Sequence, residues 1–284
     1  MNELLTNISL RKKTGVKLPL FYFFLARQGC VRMLINNGQR VELREGEGIL
    51  LNKNCGVNLD YELISTQSDT DIITIRITSE MISQYNYLCY IRSGFEMDYL
   101  KGRKMESKDY CHFDFNKLTS HNRELFFSVV NSIEYKDVFP NNSRKENIGN
   151  MVLSDEHCLL LSFLLRSNPE LELIFHSNSA ETIAEKTAKL IMSNYQHSWN
   201  VKTLSTALCM SESTFKKKMN REVGSVREFV SRIKIVESLR CLRRTNDSLD
   251  EIAENLGFCT KSYFSKVFYK HLGIFPSQVR GNSS

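Results

Sequence analysis

The residues best equipped for chemistry in this 284-residue sequence lie in two short polar sets near its end: Glu212, Ser213, Lys216 and Lys217, then Lys261, Ser262, Ser265 and Lys266. Ammonium groups neutralise phosphates, and hydroxyl and carboxylate groups hydrogen-bond to base edges. Each set is what faces outward when its helix turns Phe215, Met219 and Val223, or Phe264, Val267 and Phe268, inward. One such helix alone reads equally well as a solvated face rich in lysine. Two matched copies argue for a reader of double-stranded DNA.

The elements that must hold these sets are themselves repeated. Leu204 to Ser211 continues through Phe215 and Met219 to Gly224, and Ile252 to Phe258 continues through Phe264 and Phe268 to Gly273. Leu208 matches Leu256 at an offset of 48, whereas Phe215 matches Phe264 and Gly224 matches Gly273 at 49. The second turn therefore holds one extra residue. Each copy predicts two short helices joined by a tight turn, the arrangement that sets a second helix into a major groove. Asn200 is placed to cap the first copy, ahead of Val201, Leu204 and Leu208 on one face. Ser248 and Glu251 form a capping box ahead of Leu249, Ile252, Ala253 and Leu256, and Ser211 and Thr260 stand where the second helices need caps. Between the copies, Ser225 and Glu228 suggest another capping box, and Phe229, Ile233, Val236, Leu239 and Leu242 recur at helical spacing up to about Arg244. A helix of about 19 residues is roughly 28 Å long, close to the ~34 Å between successive major-groove openings on one side of the duplex. Such a rod lets one chain cover two adjacent grooves.

Ala253, Gly257-Phe258, Ser262-Tyr263-Phe264, Phe268, Gly273, Pro276 and Arg280 follow the A, GF, S-x-F, F, G, P and R signature of the AraC/XylS transcriptional regulators. From roughly Ser179 to Arg280 the sequence resembles that family's C-terminal domain. Two positions depart from the pattern: Ser205 stands where alanine is usual, and Cys209 where a small residue such as glycine is common. The resemblance, closest in kind to enteric members, implies a bacterial transcription activator that works with RNA polymerase. It also implies a cupin-like sensory and dimerisation barrel in the N-terminal half.

Charge divides the chain in the same way. From Ser179 onward there are 17 Lys+Arg against 10 Asp+Glu, net +7, which leaves 21 against 22 in the first 178 residues. The basic excess therefore lies in the half expected to meet phosphates. The eight cysteines are scattered with no C-x-x-C pair, which suits a reducing cytosol and supplies neither a zinc site nor a disulfide framework. Residues 1–17 lack an apolar core of signal-peptide length, and no run approaches the ~18 apolar residues of a membrane span. A cytoplasmic protein with no membrane partner is expected.

Short strands are expected from about Leu18 to Ile77. Phe21 to Ala26 is rich in aromatics, Asn37-Gly38 separates Val31–Ile35 from Val41 and Leu43 as in a hairpin, and the glycines at 46 and 48 mark the turn into Ile49-Leu50-Leu51. Ile73, Ile75 and Ile77 alternate with Thr74 and Arg76. Closely spaced strands of this kind suggest a small barrel. Two helices should follow, one with the stripe Leu125, Phe126, Val129, Val130 and Ile133, the other capped by Ser154 and apolar nearly all round from Cys158 to Leu165. The second either packs on its own barrel or forms a homodimer interface. The histidines before Ser179 (His112, His121, His157 and His176) contain no H-x-H pair, which speaks against a cupin metal site. No Walker or dinucleotide glycine loop is present. Arg76, on the opposite strand face from the three isoleucines, is a candidate to receive a small carboxylate, including a fatty acid, as some enteric members do with a basic barrel residue. A surface arginine on the barrel's wet face is the plainer alternative.

The expected fold is α+β: a cupin-like β-barrel with helices over residues 1–166, a linker over 167–178, and an all-α domain with two helix-turn-helix motifs over 179–284. The expected function is noncatalytic, cofactor-free DNA binding by an activator. A repressor or anti-silencer of the same fold is the first alternative, and a cupin-type enzyme fused to a DNA-binding module is the second.

Overall fold

The structure, a computed structural model, describes residues 16–36, 38–53, 55–59, 71–93, 108–138, 153–177 and 180–279. Within them the strands are β1 (Val16–Lys17), β2 (Phe21–Gln28), β3 (Cys30–Ile35), β4 (Gln39–Arg44), β5 (Glu47–Leu51), β6 (Gly56–Leu59), β7 (Asp71–Ile77) and β8 (Tyr110–Asp114). The helices are α1 (Ser79–Ser93), α2 (Ser120–Val138), α3 (Asp155–Ser167), α4 (Leu171–Ser177), α5 (Ile183–Ser193), α6 (Val201–Ala207), α7 (Glu212–Glu222), α8 (Val226–Arg244), α9 (Leu249–Asn255), α10 (Lys261–Leu272) and α11 (Pro276–Val279).

Strand β2 shows no polar alternation from Phe21 to Ala26, and such a strand must be covered on both faces. It is flanked by β7 and β5 in an antiparallel sheet of order β7-β2-β5-β8. One face of that sheet (Tyr22, Phe24, Ala26, Ile49, Leu51) shares a core with Val31, Met33, Ile35, Val41 and Leu43 of a second sheet, ordered β1-β6-β3-β4. The other face (Phe21, Phe23, Leu25, Leu50, Ile73, Ile75, Ile77) is covered by α1 to α4 through residues such as Met81, Phe126, Leu160 and Ile174. The β-rich domain expected from the sequence is thus present as two sheets. They are not joined into one closed hydrogen-bonded barrel among the described residues.

Local expectations are met in detail, with three exceptions. The hairpin β3–β4 pairs Ile35 with Gln39, although Asn37 itself lies outside the described residues. Gly46 makes the next turn at φ +79, but Gly48 lies within β5, where a Cβ would come within 2.9 Å of the Phe23 ring. Its smallness admits that ring to the core. On α2, Phe126, Val129, Val130 and Ile133 are buried, yet Leu125 is 43% exposed. It is one residue, or about 100°, around the helix from Phe126 and falls off the packed stripe. Ser154 caps α3 as expected, but the helix is covered on one side only: Leu160, Leu161 and Leu164 are buried and Leu159 is 45% exposed. Within 167–178, Leu171, Ile174 and Phe175 of α4 are buried in the helix-side core, in keeping with their apolar character.

The two halves meet through charges taken out of water. Lys53 Nζ lies 3.3 Å from Glu185 Oε2 of α5, and both side chains are almost wholly buried. A buried pair holds only if its remaining valences are satisfied. Here Glu185 also accepts from the Ser79 amide (2.6 Å) and hydroxyl (2.8 Å), and Lys53 donates to the Ala180 carbonyl (2.8 Å) and the Ser79 hydroxyl (2.7 Å). At the far end of α8, Arg244 pairs with Asp71 (2.8 Å) and Glu134 (2.5 Å) and donates to the Ile72 carbonyl; Arg27 meets the same two carboxylates. No helix among the described residues is long and apolar enough to cross a membrane.

Candidate nucleic-acid interface

Each helix-turn-helix is built from its caps outward. Asn200 accepts from the Thr203 amide while the Thr203 hydroxyl accepts from the Asn200 amide, and Ser248 and Glu251 do the same at α9. Both starts are reciprocal capping boxes. The turns then repeat: Met210 N–H donates to Ser205 O and Phe258 N–H to Ala253 O, each at 2.8 Å and 48 residues apart. Cys209 takes the left-handed conformation at φ +53 where the second turn has Gly257 at φ +64. Ser205 is buried in the place of Ala253, with its hydroxyl satisfied by the Lys202 carbonyl, so neither departure from the family pattern breaks the turn. Cys259 is the extra residue, after which Thr260 caps α10 as Ser211 caps α7.

Phe215 and Met219 are fully buried under α7, and Phe264 and Phe268 under α10, which fixes the rotation of both helices. Glu212, Ser213, Lys216 and Lys217 are consequently exposed on α7, and Lys261, Ser262 and Lys266 on α10; Ser265 is half-buried. Lys261 forms an ion pair with Asp250 at 2.9 Å, so it reaches along the protein surface rather than straight out. The exposed strips extend further than the two sets expected from the sequence. Asn220, Arg221 and Tyr269 lie three or four residues beyond Lys217 and Lys266, on the same faces, and are exposed. The 3.6-residue period alone could have found them.

The rod α8 has its expected bounds and 19 residues, but not its expected start or surface. Ser225 makes no side-chain cap, and the Glu228 carboxylate pairs with Lys270 of α10 at 2.5 Å. That pairing holds the carboxyl of Glu228 below the usual range, against the upward push of partial burial. The rod is clasped by both helix pairs and by the N-terminal domain, so Lys234, Glu237 and Ser238 are buried with the apolar stripe. Burial pushes the Lys234 ammonium down; it donates to the Gly257 carbonyl at 3.3 Å and lies over the Phe258 ring.

Arg76 projects from β7 on the face opposite Ile73, Ile75 and Ile77 and is paired in register with Tyr22. Its Nη1 lies 3.4 Å from Glu237 Oε2 and 3.5 Å from the Tyr195 hydroxyl, with the guanidinium largely buried. Burial pushes the Glu237 carboxyl up, but Arg76, Arg240 and the Tyr195 hydrogen bond outweigh it and hold the group below its ordinary value. Burial likewise pushes the Tyr22 hydroxyl up to about 12, with Arg76 opposing. The arginine singled out in the sequence therefore faces the DNA-binding half and holds an internal carboxylate there.

Two helix-turn-helix units on one rod, each showing a polar recognition face, define a DNA-binding domain. Residues 204–282 match the family model described as "Helix-turn-helix domain". The chain is 27% identical to the transcriptional activator PerA of Escherichia coli O127:H6 over 62% of its own length and 61% of PerA. It is 22% identical to the DNA-binding dual transcriptional regulator Rns of Escherichia coli, over 72% and 76% respectively. Its fold matches ToxT from Vibrio cholerae at a TM-score of 0.57 and 20% identity, covering 94% of this chain and 91% of that one; a ToxT structure bound to an unsaturated fatty acid matches at 0.53 and 17%, over 94% and 88%. The family model covers the helix-turn-helix half, which is the part that resembles the AraC/XylS transcriptional regulators.

Proposed function

We propose that this protein is a sequence-specific transcription activator without catalytic activity, which lays both recognition helices along one face of a duplex. The observation that carries this reading is the matched pair of exposed strips on α7 and α10, fixed on either side of the single rod α8. In this reading Glu212, Ser213, Ser262 and Ser265 read base edges, and Lys216, Lys217, Lys261 and Lys266 hold phosphates or guanines. PerA and CfaD are named as activators and Rns as a dual regulator, which makes activation the first reading and repression at some promoters the second. A genome-wide map of bound sites followed by footprinting tests both. Footprints upstream of the −10 element support activation, footprints over it support repression, and the absence of preferred sites would overturn specific binding.

The same proposal assigns residues 1–166 to sensing and dimerisation, 167–178 to the connection and 179–284 to DNA, with RNA polymerase and a second copy of the chain as partners. A small carboxylate, including a fatty acid, is the proposed effector at Arg76, supported by the fatty-acid-bound ToxT structure. It has to displace the Glu237 carboxylate from Arg76, and it changes DNA affinity only by preferring one arrangement of the two halves. Calorimetric titration of long-chain fatty acids and short carboxylates into wild type and Arg76→Ala is the test. Equal affinity in both removes Arg76 from the site, and no binding in either removes the effector class.

A further inference from the structure

Tyr195, in the short connection between α5 and α6, packs against two otherwise separate cores. One joins the sheets to the first helix-turn-helix, and the other lies inside the second. Its hydroxyl sits between Arg76 of the N-terminal half and Glu237 of the rod. Its backbone end meets the second turn. A Cβ on Gly257 would lie 2.6 Å from the Tyr195 carbonyl oxygen and 2.8 Å from Gln196 Cα, so only a glycine allows this approach. From the other side Lys234, one turn before Glu237 on α8, holds the Gly257 carbonyl. At the equivalent place the first turn has Cys209, whose side chain is exposed.

We infer that Tyr195 is the positioning residue through which the state of Arg76 reaches the second recognition helix, and that its apolar packing on the core of the first unit does not carry the change. When Arg76 changes its carboxylate partner, the Tyr195 ring moves with it, and the 195–196 backbone carries Gly257 and the start of α10. The consequence for promoters rests on the proposed DNA reading, but the movement itself is measurable without DNA.

The test is hydrogen–deuterium exchange on the full chain as wild type, Arg76→Gln, Tyr195→Phe and the double variant. The Gly257 and Phe258 amides donate within the second turn and report on it; the Cys209 and Met210 amides report on the first. Each single variant should speed exchange over 253–260 about five-fold, the loss of one hydrogen bond of about 1 kcal/mol. The double variant should be no faster than the quicker single, and the first turn should not change. Acceleration of both turns together would mean general loosening and overturn the inference, as would multiplying effects in the double variant or an unchanged second turn in Arg76→Gln. Tyr195→Phe keeps the packed ring, so it carries the test alone should Arg76→Gln lose its native melting transition. Failure of the wild-type chain to shift any DNA in a separate mobility assay would remove the functional reading and leave the exchange result standing.

Discussion

Replacing Lys217 and Lys266 together by alanine should weaken DNA binding in a way that depends on salt. Both are exposed at matching points of α7 and α10, and among the described residues neither forms an ion pair within the protein. Each phosphate contact contributes about 0.9 to the slope of log affinity against log salt, so two lost contacts flatten the slope by about 1.8. The variant's deficit should therefore shrink roughly 12-fold between 50 and 200 mM salt. Were the same lysines bonded to guanine edges instead, the cost would be about 1 to 3 kcal/mol each with little salt dependence. Lysine and alanine both favour helix, so melting should not change. The assay is fluorescence anisotropy on one bound genomic fragment across a salt series. Wild-type affinity and slope in the double variant would refute the assignment of these faces to DNA.

Other outcomes follow from the packing. Phe268→Ala empties a fully buried site that meets Phe264 edge-on and should cost about 3 to 5 kcal/mol, visible as a lowered melting transition with DNA binding lost alongside it. Gly257→Ala, forced to φ +64 and into the Tyr195 carbonyl, should destabilise the domain by more than about 1 kcal/mol, whereas Cys209→Gly should stabilise it by up to about 1 kcal/mol in the same urea titration. The Glu237 carboxyl is depressed in the folded state, so its stabilising contribution is fully present above the ordinary glutamate value of 4.5 and is lost as pH falls through the lower folded value. Glu237→Gln should remove that part of the acid unfolding curve while leaving the rest of the profile; an identical curve would show that Glu237 does not titrate with folding.

The DNA-binding half was largely legible in the sequence because its signals are local. Caps three residues from their partners, apolar residues one turn apart and a left-handed turn residue all act within about ten residues. These place α6, α7, α9 and α10 and decide which sides of the recognition helices stay wet. The local signal failed where a distant group competed for the same atom. Ser225 and Glu228 have the spacing of a capping box, but Lys270, 42 residues on, takes the carboxylate. The buried charges Lys53 and Glu185 are 132 residues apart, and Arg76 and Glu237 are 161 apart. No periodicity marks either pair, because a charge enters a core only when the fold brings its counter-charge to the same point. The sequence by itself determined that this chain carries two helix-turn-helix units and most of the side chains that their second helices expose. The tertiary structure alone decided that a lone strand arginine faces the rod between those units, since that depends on how two domains dock and bring opposite charges to one buried point.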